Sequence, residues 1–199
     1  MKKRIIYLAT SLILIVVLVI GLIGCVPSRP DKFLQKIFIA ESWSVIEYDI
    51  DGSVTKIVIR DKNSRYVKGS LNEQYVVYTR EAVEIYTYGN EVWSYKVYTE
   101  PKDVEEWTKN QIYTPLDIVG TPDLRYFATD FKTKFSKKDG KWVELSTNPA
   151  TFYVKGQKLY YEKGDRKIEY SLKGNVKISD EALQAKNNAI SKGWLDKNI

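Results

Sequence analysis

The 199-residue chain has no histidine and one cysteine, Cys25. These absences remove imidazole acid–base catalysis, histidine-containing triads, zinc sites built from Cys and His, and any intrachain disulfide. The excess of one charge over the other is also small. The formal net charge is +6, and without Lys2, Lys3 and Arg4, which precede the first apolar run, it falls to about +3. A nucleic-acid-binding surface gathers Lys and Arg on one face; here lysines are scattered over turns, where they discourage edge pairing. Glu105 and Glu106 are adjacent, but neighbours on a helix point in different directions and do not share acid and base roles. The pattern holds no nucleophile and base constellation. The expectation is a protein that is not an enzyme, with no catalytic residues, cofactor or metal.

Aromatic residues are abundant: 26 in all, 15 of them tyrosine, a composition that favours pleated structure. Ser42 to Asp49 alternates apolar and polar side chains, Asp51-Gly52 is a hairpin signal, and Val54 to Arg60 returns as the partner strand. Gln74–Thr79, Ala82–Tyr88 and Glu91–Tyr98 continue the pattern, with Val83 and Ile85, then Trp93, Tyr95 and Val97, as apolar faces. Such alternation ordinarily means one buried and one wet face. The stretch 99–122 interrupts it: Pro101 and the acidic residues that follow predict a short helix over about Asp103–Gln111, and Pro115, Gly120 and Pro122 break regular structure.

Ile5 to Gly24 carries no charge and follows the basic Met1-Lys2-Lys3-Arg4. Twenty residues at helical rise cross about 30 Å of hydrocarbon, with the basic cluster on the cytoplasmic side. Leu22-Ile23-Gly24-Cys25 also resembles a bacterial lipobox, in which Cys25 would be lipidated and become the new N-terminus. Both alternatives tether the chain to a membrane. Residues 1–25 are therefore read as a membrane anchor or lipoprotein signal, 26–32 as an extended linker with Pro27 and Pro30, and 33–199 as one extracytoplasmic β domain with an irregular insertion at 99–122.

Alternation resumes from Leu124. Phe127, Phe131 and Phe135 recur at a spacing that suits a helix, but Thr129, Thr133 and the turn at Lys138–Gly140 favour a strand. Strands are predicted at Trp142–Leu145, Ala150–Val154, Leu159–Tyr161, Ile168–Leu172 and Val176–Ile178, separated by turns at Lys155-Gly156, Gly164-Asp165 and Gly174-Asn175. An offset of 26 residues maps Phe135 onto Tyr161, Lys137 onto Lys163, Asp139 onto Asp165, Trp142 onto Ile168 and Phe152 onto Ile178, the mark of one supersecondary unit used twice.

The wording from Asn148 to Ile190, with the turn and strand at Gly174-Asn175-Val176, resembles the OstA-type repeat of the lipopolysaccharide-transport proteins LptA and LptC. A fainter echo lies at Tyr48–Gly52, and the N-terminal anchor makes LptC the nearer of the two. The resemblance implies an all-β fold, an elongated antiparallel β-jellyroll opened into a V-shaped double sheet with an apolar trough and unpaired edges. It implies a carrier anchored in the inner membrane and facing the periplasm, which accepts lipopolysaccharide or a similar glycolipid from an ABC transporter and passes it to an LptA-like bridge protein by edge-strand addition. Nucleic acid is not a partner. The lipid-lining residues would be Phe127, Phe131, Trp142, Phe152, Ile168, Tyr170, Leu172 and Val176, with Lys155, Lys158, Lys163 and Lys167 near anionic head groups. For Asp180–Ile190 local propensity favours a helix capped by Ser179 or Asp180, whereas the resemblance implies a last strand, which is the expectation adopted. The alternative function is a cell-envelope lipoprotein with a closed β-sandwich, acting as a structural or protein-binding module.

Overall fold

Local turn chemistry sets most of the fold. The computed structural model of the protein describes residues 29–110 and 131–193. In the first half, strands β1 (Trp43–Tyr48), β2 (Val54–Arg60), β3 (Ser64–Lys68), β4 (Glu73–Tyr78), β5 (Val83–Gly89) and β6 (Val92–Tyr98) follow one another as antiparallel hairpins. Asp51 accepts the Ser53 amide through its side chain while Gly52 takes a φ of 82°, closing the first turn. Asn90 and Glu91, with φ of 51° and 64°, form the two-residue turn whose twist matches that of the flanking strands. In the second half, β7 (Phe135–Lys138), β8 (Lys141–Glu144), β9 (Thr151–Lys155), β10 (Lys158–Lys163) and β11 (Arg166–Ser171) repeat the scheme. The 26-residue repeat corresponds to the β7–β8 and β10–β11 hairpins. It ends where Phe152, in β9, maps onto Ile178, which lies outside any strand.

The eleven strands make one open antiparallel sheet in the order β6-β5-β4-β3-β2-β1-β11-β10-β9-β8-β7. Every neighbour in the sheet is a neighbour in sequence except β1 and β11. Two meanders, of six strands and five, are thus joined along one seam, with Val45 opposite Tyr170 and Glu47 opposite Ile168. The all-β, antiparallel class follows from this order, with edges at β6 and β7.

Among the described residues, helices α1 (Pro30–Ile39), α2 (Pro101–Asn110) and α3 (Asp180–Ser191) pack on the sheet. Helix α2 matches the expected helix within its first residues. Helix α1 corrects the linker reading: Pro30 occupies the first turn, Asp31 adds an acidic group there, and Phe33, Leu34 and Ile37 form a stripe that is fully buried. Helix α3 corrects the expected strand. Ser179 takes extended backbone and accepts the Ala182 amide at 3.3 Å, while Ala182 and Ala189 are buried, so local capping and burial together outweigh the resemblance. Val176–Ile178 is likewise irregular rather than a strand, and residues 131–134 are helical, as the four-residue spacing of the phenylalanines allowed. Replacing Ser179 by Ala removes the cap and is expected to cost about 1 kcal/mol, read as faster amide exchange in the first turn of α3.

Alternation along the strands separates two faces. One face carries Val45, Val58, Leu159, Ile168 and Tyr170, and packs with Phe33, Leu34 and Ile37 in the largest cluster. The other carries Tyr75 and Tyr86, packed with Ala182, Trp93 and Tyr95. In β4–β6 the first face is buried as well, since Val76, Val83 and Ile85 pack with Val104 and Trp107 of α2. Val83 with Ile85 and Trp93 with Tyr95 therefore lie on opposite faces, each under its own helix, which corrects the simple picture of one buried and one wet side.

Candidate functional site

The apolar face of the second meander is assembled by register. Tyr161 stands opposite both Ile168 and Phe152, and Phe152 opposite Trp142; Tyr170 stands opposite both Leu159 and Val45. Phe131 stacks on Phe135 with ring centres 4.6 Å apart and meets Trp142 edge-on at 5.2 Å. Phe152 joins the same group through Phe135 and Tyr161. Aromatic contacts of this kind contribute about 0.5–1.5 kcal/mol each beyond their area.

Of the eight expected lining residues, Phe131, Phe152, Ile168 and Tyr170 are buried in this one cluster, and Trp142 and Leu172 pack against it half-buried. Val176 is elsewhere: it belongs to the cluster around Tyr75, Tyr86 and Ala182, because the chain leaves β11 and crosses toward α3. Phe127 and Cys25 lie outside the described residues. The six that come together pack in a cluster of protein side chains that includes Phe33, Leu34 and Ile37 of α1. The Tyr170 hydroxyl is the exception among these groups. It is fully buried and has no hydrogen-bond partner among the described residues, a state that costs roughly 1–3 kcal/mol. Burial pushes its ionisation far above the ordinary tyrosine range.

The lysines expected beside head groups divide between the faces. Lys158 pairs with Glu169 at 2.6 Å, and Lys167 lies 5.2 Å from the centre of the Tyr160 ring. Both belong to the face opposite Ile168 and Tyr170, as does Lys155. Lys163 shares the apolar side and pairs with Glu144 at 3.6 Å.

The opposite face carries a feature that sequence reading missed. Four tyrosine hydroxyls donate to glutamates that are also held by lysines: Tyr66 to Glu73 with Lys68, Tyr86 to Glu84 with Lys186, Tyr153 to Glu162 with Lys141, and Tyr48 to Glu169 with Lys158. Burial first, and the neighbouring carboxylate second, raise the tyrosines of these groups; Tyr95, beside Glu84, is pushed up to about 12. The Lys158 ammonium is raised by its hydrogen bond to Glu169. Three of the four pairs join adjacent strands, so finding them required the register, which no single segment displays.

No family model matches the chain, and no curated protein matches it. The resemblance to the OstA-type repeat is carried by the quoted residues alone. Among the described residues no helix is long and apolar enough to cross a membrane; the apolar run 5–24 lies outside them.

Proposed function

We propose that the protein is a membrane-tethered carrier for an acylated envelope lipid, whose chains lodge on the apolar face beneath α1. The observation that carries this reading is the cover on that face. Among the described residues, beside the helical turn at 131–134, one ten-residue helix closes it, through Phe33, Leu34 and Ile37. Burying three such side chains is worth roughly 5–9 kcal/mol, whereas a twelve-carbon chain at about 0.8 kcal/mol per methylene brings about 10. A lipid chain can therefore displace α1 with little net cost, and α1 is the element that follows the proposed tether. The two meanders would be the leaves of the V-shaped jellyroll implied by the resemblance, hinged at the β1/β11 seam. In that setting the lipid is lipopolysaccharide or a similar glycolipid. It arrives from an inner-membrane ABC transporter and leaves to an LptA-like periplasmic bridge protein across the open β6 or β7 edge, by strand addition. The hydrophobic effect holds the chains, and movement is powered by the transporter.

The test uses the full chain in nanodiscs containing a lipid with a photo-crosslinking group at the end of its acyl chain. Labelling is expected on peptides bearing Phe152, Ile168 and Leu172, and Leu172→Asp is expected to reduce it about tenfold with the circular dichroism unchanged, the worth of about 1.4 kcal/mol. Labelling confined to residues 5–24 would sink the carrier reading. The second reading, a closed structural or protein-binding lipoprotein, would then stand. Its supporting observation is that Phe131, Phe152, Ile168 and Tyr170 are already packed against protein.

A further inference from the structure

At the end of the sheet where β1 turns into β2, β3 into β4 and β10 into β11, an open depression of about 690 Å³ is framed by these three hairpins. Its size falls within the range of small-molecule sites. Glu47 and Arg166 form an ion pair across the β1/β11 seam, and Thr55, Ser70 and Asn72 add hydroxyl and amide groups. Leu71, at the rim, is 91% exposed, and Ile50, in the neighbouring turn, is 74% exposed.

The charges sort the possible ligands. Glu47, Asp49 and Asp165 face Lys56 and Arg166, and Arg166 is already held by Glu47. A phosphate placed here would meet an excess of carboxylate. Sugar hydroxyls, which donate as well as accept, suit carboxylates, Ser, Thr and Asn side chains together.

Position along β11 links this depression to the apolar face. Arg166, Ile168 and Tyr170 share one side of the strand; Arg166 lines the depression, and Ile168 and Tyr170 follow it in the buried cluster that α1 covers. The Tyr170 hydroxyl is fully buried without a partner among the described residues, where natively folded chains rarely leave one.

Building on the carrier reading above, and choosing its glycolipid over lipopolysaccharide, whose phosphates the carboxylates would repel, we propose that the depression seats the uncharged, hydroxyl-rich head group of the acylated ligand, a glycosyl diacylglycerol in chemical class. With α1 displaced, its glycerol passes Ile168, an ester carbonyl accepts the Tyr170 hydroxyl, and the chains continue over the apolar face. The exposed Leu71 and Ile50 stand beside the mouth through which the lipid passes.

The experiment again uses the full chain in phosphatidylcholine nanodiscs. One arm contains a photo-crosslinkable diglucosyl diacylglycerol and the other a phosphatidylglycerol with the same chains. The glycolipid is expected to label the peptide 165–171 about fivefold more than the phospholipid, the worth of roughly one hydrogen bond. Tyr170→Phe is expected to lower glycolipid labelling by a similar factor while raising the melting temperature of the lipid-free protein, because it removes an unpartnered buried hydroxyl. Equal or stronger labelling by phosphatidylglycerol overturns the head-group assignment while leaving the carrier intact. A lower melting temperature for Tyr170→Phe shows that the hydroxyl has a structural partner, and overturns the ester contact. Absence of labelling by either lipid outside residues 5–24 fails the carrier reading itself.

Discussion

Above about pH 10, where tyrosines in an unfolded chain ionise, the protein is expected to lose stability steeply. Tyr86 and Tyr170 are 1% and 0% exposed, and burial raises both; at Tyr86 the hydrogen bond to Glu84 adds to the effect. A group raised in the folded state stabilises the fold fully below its unfolded value and ceases to do so as the pH climbs toward its folded one. Between those limits the folded state retains protons that the unfolded state has released, so stability falls with pH by up to about 1.4 kcal/mol per unit for each such tyrosine. The two together give about 3 kcal/mol per unit, and Tyr95, raised to about 12 and part exposed, adds a smaller share. For a fold near the lower end of the typical total of about 5–15 kcal/mol, this places alkaline unfolding about two units above pH 10. Urea unfolding at stepped pH, with the tyrosinate absorbance followed in parallel, checks it. Cooperative appearance of tyrosinate with unfolding is the expected result, and Tyr170→Phe should flatten the slope by close to one proton. Tyrosinate forming gradually while the fold persists would show that these hydroxyls reach solvent without unfolding.

What could be read from sequence divides along physical lines. Hairpins with their own turn chemistry were legible: Asp51-Gly52 and Asp139-Gly140 need only a few residues to specify them, and Gly52, Asp139 and Gly140 all adopt the positive φ that such turns require. Helix α1 was legible in principle, since Pro30, Asp31, Phe33, Leu34 and Ile37 are a helix start with an apolar stripe, but Pro27 and Pro30 together favoured an extended linker. At α3 the local signal was sound, and Ser179 with the alanines carried the information that the resemblance overrode. The apolar site was legible as composition and alternation, which is why six of its expected residues share one cluster. Its cover was not, because nothing local tells a stripe of Phe33, Leu34 and Ile37 which strands it will meet. The β1/β11 seam joins residues more than a hundred positions apart, such as Ser44 and Ser171. The same limit hid the tyrosine–glutamate–lysine groups.

That seam is also where a single methyl group is expected to do most damage. Gly174 sits just after β11, where the chain passes the ends of β1 and β2. Its amide donates to the Ser42 hydroxyl at 2.7 Å, and that hydroxyl donates back to the Gly174 carbonyl at 2.6 Å. Two residues on, the Val176 amide donates to Asp61 at 3.2 Å. A β-carbon at Gly174 would overlap the backbone carbonyl oxygens of Arg60 and Trp43, atoms fixed by the β1/β2 ladder, where Trp43 stands opposite Arg60. No side-chain rotation relieves that overlap. Either the strand ends part, opening the burial site of Trp43, or residues 172–176 lift away and forfeit the Ser42 and Asp61 hydrogen bonds. Gly174→Ala is therefore expected to cost about 3 kcal/mol, the upper part of the range for overpacking, or roughly a 150-fold fall in the folding equilibrium constant. Gly89→Ala provides the contrast, because its added methyl group meets nothing within 4 Å and its backbone is not in the left-handed region. That change should be neutral or stabilise by up to about 1 kcal/mol through the unfolded state. Parallel urea titrations of the two variants decide the matter. If Gly174→Ala matches Gly89→Ala, the close approach of the two chain segments is not held in solution. If only Gly174→Ala loses stability, with amide protection falling first in β1 and α3, the crossing at Gly174 is the clasp that holds the two meanders as one sheet.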